Sequence, residues 1–156
     1  MERQAKQEPT TEGVVIPDDI ARQSEEKKRQ RRTVRQTQVY RDMANLKYLI
    51  VAHMSNAQRK YAKYFDEMLM TASNAKQSLA LGLIGRDAGQ KYENMSYAQV
   101  MVEDLQDDAV VLHQLGIINK KEKKAIRGLA QRISSQIVRL RDYFGSQGID
   151  IDGQTL

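Results

Sequence analysis

The chain has 156 residues, with 25 Lys and Arg against 20 Asp and Glu, 40% hydrophobic content and no cysteine. That length and apolar content support one modest core plus an arm, and the absence of thiols excludes a disulfide framework and a thiolate metal site. The longest apolar runs, such as Ala80 to Ile84, are too short to span a membrane, and the N-terminus MERQAKQEPTTEG lacks the apolar stretch of a signal peptide, so an intracellular-type protein is expected.

Residues 1–17 are polar, contain Pro9, Gly13 and Pro17, and read as a flexible leader. From Asp18 to Leu81 there is no Gly and no Pro, which predicts one very long helix. Its apolar positions Met43, Leu46, Ile50, Met54, Ala57, Tyr61, Tyr64, Met68, Ala72, Ala75 and Leu79 recur at steps of three and four, the spacing of one helical face. Before about Gln36 that stripe has only Ile20 and Val34 as anchors, so residues 18–42 are expected to leave the bundle as a basic helical arm. Ser55 with Gln58 matches an S-x-x-Q capping box and marks an alternative break, but the stripe crosses it without losing phase.

Gly82, Gly85 and Gly89 predict a loop to Asn94. Ser96 then begins the next helix, with Gln99 at the reciprocal capping position and Met95 placed to staple against Val100. The helix is expected to end at Leu115, with Gly116 in the left-handed site and Ile117 returning to Leu112 in a Schellman ending. Its apolar residues run around much of its circumference, so it should be the most buried of the set, with room for a second subunit to cover it. Asn119 caps the last helix, with Glu122 three residues on, and Gly145 closes it before an irregular tail at 146–156. The expected fold is therefore all-α: an antiparallel three-helix bundle over 43–145 whose long first helix extends as the arm. Its core is assigned to Ile50, Tyr61, Met68, Leu79, Met101, Leu105, Leu112, Ile126, Leu129, Ile133, Ile137 and Leu140.

Charge is striped along this framework, with basic excess at 20–41 and 120–141 and an acidic stretch at 92–119. The run KKRQRRTVR supplies Lys27, Lys28, Arg29, Arg31, Arg32 and Arg35, spaced closely enough to neutralise phosphates. The run KKEKK places Lys120, Lys121, Lys123 and Lys124 at a helix start, where free N–H groups and the macrodipole already favour anions and repel cations. Both clusters point to nucleic acid or another acidic partner. Tyr40, Tyr48, Tyr61 and Tyr64 lie among further cations, but Tyr61 and Tyr64 fall on the apolar stripe and read as core or interface before base-stacking residues.

Catalytic signals are weak. The quartet Glu103, Asp104, Asp107 and Asp108 has i, i+4 carboxylate pairs that suit a hard cation, yet pairing of Asp104 with Arg132 and Asp108 with Arg127 across the helices is the favoured reading. Neither His53 nor His113 has a carboxylate three residues before it, as a di-iron bundle requires, and no GxxxxGK[ST], GxGxxG or HExxH occurs. No cofactor or metal is assigned. The leading expectation is a non-enzymatic structural or assembly protein, one of many subunits in a virion or other nucleoprotein complex, with protein subunits and nucleic acid as partners and no membrane. A DNA-binding accessory or regulatory protein is the alternative, and a metal-dependent enzyme on a helical bundle a distant third.

Overall fold

The computed structural model describes residues 18–155, with side chains for 18–29 and 37–147; the expected leader at 1–17 lies outside the described residues. Among them the elements are helical throughout: α1 (Asp18–Gln36), α2 (Gln38–Asn56), a single 3-10 turn at Arg59–Tyr61, α3 (Ala62–Ile84), α4 (Ala88–Gln114) and α5 (Lys120–Thr155). No helix among them is long and apolar enough to cross a membrane.

The predicted first helix is three helices. Thr37 turns out of α1 at ψ 140°, and Ala57 and Gln58 break the chain at ψ 158° and 141°. All are extended conformations at negative φ that any L residue adopts, so neither break needs Gly or Pro. Ser55 is not the cap: its hydroxyl donates back to the Val51 carbonyl at 3.0 Å. A straight helix from Asp18 to Leu81 would be roughly 95 Å long, and most of its apolar stripe would find no partner. Folding at Ala57 lays α2 against both α3 and α5 and buries Val39, Met43, Leu46 and Ile50. The arm therefore ends at Gln36, not residue 42, and α2 is a fourth member of the bundle.

Among α2, α3, α4 and α5 each helix runs antiparallel to its neighbours. Lys76 sits over the Tyr40 ring, Met95 lies beside Gly82, Tyr92 beside Gly145, and Asp42 is within reach of Arg132 and Gln136. The packing order α2–α3–α4–α5 closes with α5 on α2, an up-down arrangement in place of the expected three-helix bundle. One core runs through all four helices. Of the residues assigned to it from sequence, Ile50, Met68, Leu79, Leu105, Leu112, Ile126, Ile133 and Ile137 are buried, whereas Tyr61, Met101, Leu129 and Leu140 are half-buried at its edge. The small residues Ala72, Ala75, Ala98, Ala109 and Ala130 are fully buried and permit close approach of the helix axes.

Helix ends agree with the sequence at one connection and differ at the others. Between α4 and α5, Gly116 takes φ +73°, the Ile117 N–H donates to the Leu112 carbonyl at 2.9 Å, and the Gly116 N–H donates to the His113 carbonyl at 3.0 Å, which completes the Schellman ending. Asn119 accepts from the Glu122 N–H at 2.8 Å and donates its own N–H to the Glu122 carboxylate at 3.0 Å, a reciprocal capping box.

By contrast α4 starts at Ala88 with Asp87 as its cap, accepting from the Gly89 N–H at 3.2 Å. Ser96 lies inside the helix with its hydroxyl bonded to the Tyr92 carbonyl. The helix starts ahead of Ser96 because the preceding turns also have partners on α5: Tyr92 lies beside Gly145, and the Lys91 ammonium lies 4.7 Å from the Phe144 ring centroid. Nor does Gly145 end α5. It remains helical, and a Cβ there would meet the Tyr92 ring at 3.1 Å, so its small size serves a close helix contact; the expected irregular tail is helical to Thr155.

Candidate anion-binding end of the bundle

Folding back at Ala57 brings the α2–α3 and α4–α5 connections to the same end of the bundle. The contact that ties them is His53 in the last turn of α2, whose Nδ1 lies 2.9 Å from Oε2 of Glu122 in the first turn of α5. Glu122 thus has both oxygens engaged, one by the Asn119 N–H and the other by His53. The four lysines beside it have no ion pair among the described residues; Lys120, Lys121 and Lys124 are exposed and Lys123 is half-buried.

Three cations outside the two predicted clusters join them. Arg59 and Lys60 lie on the 3-10 turn and Lys63 in the first turn of α3, all exposed, with the Lys60 ammonium 4.9 Å above the Tyr61 ring. The signal was present in the Ser55–Gln58 break: once the chain reverses there, alternation of helix direction puts residues 59–63 at the same end as residue 120.

The other predicted cluster is elsewhere. Lys27, Lys28 and Arg29 lie exposed on α1, near the opposite end of the bundle, where Glu26 pairs with Arg86 at 3.6 Å beside the α3–α4 connection. Lys28 is 3.5 Å from Glu25, an exposed i, i+3 pair worth little. The side chains of Arg31, Arg32 and Arg35 lie outside the described residues. The structure does not bring the two clusters together. Tyr48 and Tyr64 are exposed, while Tyr40 and Tyr61 pack against the core.

The acidic quartet does not make the expected pairs with α5. Arg132 is drawn instead to the buried Asp42 of α2, with Nε 3.4 Å from Oδ2, and Gln38 and Gln136 donate to the same carboxylate at 2.8 and 3.0 Å. Asp108 faces α3, sharing a shallow cleft with Tyr64, Glu67, Met68, Val111 and Leu112. Partial burial, with Asp104, Asp107 and Glu67 adding repulsion, raises its pKa above the ordinary carboxylate value. No group of three or more His, Asp or Glu among the described residues is arranged to hold a metal ion.

Asp108 makes stability depend on pH. Because its folded pKa exceeds the unfolded one, the native state binds more protons between the two, so this group's contribution becomes less favourable as pH rises through that window. Asp108→Asn is expected to stabilise the protein at neutral pH and to flatten the pH dependence just above the ordinary aspartate range. Denaturant titrations at acidic and neutral pH check this, and a less stable variant at neutral pH would contradict it.

No protein-family model, curated protein or solved structure matches this chain.

Proposed function

We propose that the protein is a non-enzymatic helical assembly subunit that engages nucleic acid through its basic surfaces. One observation carries this reading: Arg59, Lys60, Lys63 and the four lysines at 120–124 gather at one end of the bundle, while Glu122, the one acid within the lysine run, is engaged by His53 and the helix cap. Placing so many cations at the start of α5 opposes its macrodipole, a cost that bound phosphates would offset. The cations of α1 supply a second region of contact, and a helix carrying them outside the core can lie along a polyanion. Duplex or single-stranded nucleic acid meets the same requirement of closely spaced phosphates.

The test is binding to a nucleic acid of random sequence across a salt series. Lys120→Gln with Lys121→Gln is expected to weaken binding and to reduce the slope of log affinity against log salt by roughly 0.9 for each duplex phosphate that is no longer neutralised. Removing the two charges should leave the free protein as stable as before or slightly more so, since repulsion at the helix start is relieved. Unchanged affinity with a less stable fold would mean that these lysines serve the fold, and the reading of this end would fail.

A further inference from the structure

The contact between His53 and Glu122 fixes where the imidazole carries its hydrogen. An ionised carboxylate only accepts, so the Nδ1 atom that lies 2.9 Å from Oε2 is the donor. In the neutral ring Nε2 is then the bare acceptor, and it is buried with no hydrogen-bond partner among the described residues. The His53 side chain is only 14% exposed. Buried polar atoms are nearly always paired, so a ring nitrogen left without a partner beside a cluster of cations calls for a reason.

Charge supplies one. Glu122 offsets part of the positive field set up by Lys120, Lys121, Lys123 and Lys124 around it on α5 and by Arg59, Lys60 and Lys63 across the α2–α3 connection. A neutral His53 holds this carboxylate in place without cancelling its charge. Once Nε2 takes a proton, the ring donates from both nitrogens, the contact becomes an ion pair, and the same end of the bundle carries one more positive charge. Glu122 favours that proton, whereas the seven cations and the want of an acceptor for a buried Nε2–H oppose it. Phosphates seated on the cations remove the repulsion. His113, in the last turn of α4, is the other histidine of the chain and lies at the same end.

We infer that His53 is a positioning residue through which polyanion binding at this end is linked to pH: it holds Glu122 toward α2, and proton uptake by its ring tightens the grip on phosphate. This rests on the reading of the end as a phosphate-binding surface and adds the regulation of that surface. The protonated form has the extra positive charge and binds polyanion more tightly, so binding in turn draws a proton onto His53. Affinity therefore rises as pH falls through the ordinary histidine range.

The experiment measures binding of the full chain to duplex DNA of random sequence, at fixed salt, from about pH 8 to about pH 6, the span over which histidine ordinarily changes charge. Affinity is expected to rise roughly fivefold or more on going down that range. His53→Asn keeps an amide donor for Glu122 and cannot gain a proton, so its profile should be flat at the affinity of the upper end. Glu122→Gln retains a capping-box residue and loses the charge; it should bind more tightly than the wild type at about pH 8, where a purely structural contact would give weaker binding. His113→Gln should keep the wild-type profile. An NMR titration of the wild-type His53 ring, with and without the DNA, gives a reading that needs no variant to fold, and its midpoint should move up when DNA is bound. A His53→Asn profile as steep as the wild type, a profile flattened by His113→Gln instead, or an imidazole midpoint that DNA leaves in place would overturn the inference. Binding that is absent at every pH, or indifferent to Lys120→Gln with Lys121→Gln, sinks the reading of this end and the inference with it. Lysine-dependent binding whose pH profile ignores His53 sinks the inference alone.

Discussion

Phe65→Ala is expected to lower the unfolding free energy by about 3 to 5 kcal/mol, the range for deleting a buried aromatic ring without collapse of the space it leaves. Phe65 is fully buried near the start of α3, where it begins the stripe that continues through Met68, Ala72, Ala75 and Leu79. The three-four spacing of the sequence points to Tyr61 at this level of the core, yet Tyr61 is half-buried with Lys60 over its ring. Tyr61→Ala should therefore cost distinctly less than Phe65→Ala. Chemical denaturation of both variants distinguishes the two assignments, and equal costs would place the ring of Tyr61 in the core after all.

Asp42→Ala should cost about 2 to 3 kcal/mol, because a buried carboxylate and the charge-assisted hydrogen bonds made to it disappear together. The Asp42 side chain is only 2% exposed and is held by Gln38, Gln136 and Arg132, so it fastens the second turn of α2 to the middle of α5. Gln136→Ala removes one donor and leaves the charge buried with fewer partners. If the group acts as a unit, the two substitutions will be non-additive by about 1 kcal/mol or more in a double-mutant cycle. A stability loss below about 0.5 kcal/mol for Asp42→Ala would show that α2 is held by its apolar stripe alone.

What was legible in the sequence was local. The capping box of Asn119 and Glu122, the Schellman ending at Gly116 and the burial of Ile126, Ile133 and Ile137 on α5 each depend on residues within a few positions of one another, and the structure has them as expected. Helical class followed for the same reason, since a three-four repeat specifies a helix whatever it packs against. The breaks at Thr37 and Ala57 were not legible in the same way. Stepping from Ile50 at 3.6 residues per turn arrives at Met68 and Ala72, which are also buried in α3, so periodicity runs through the reversal as if it were absent.

The remainder depends on packing between distant segments. Whether a long amphipathic stretch stays straight or folds on itself depends on the apolar area that the fold buries, and α2 finds that area on α3 and α5, the latter far away in the chain. Asp42 could not be identified beforehand as a buried group, because its partners Arg132 and Gln136 lie some ninety residues later. The gathering of Arg59, Lys60 and Lys63 with the lysines of α5 has the same origin. Local sequence set which short segments are helical and how several of them end; long-range packing set how many helices share the core and which charges meet at its ends, because those are properties of burial between segments and not of any one segment.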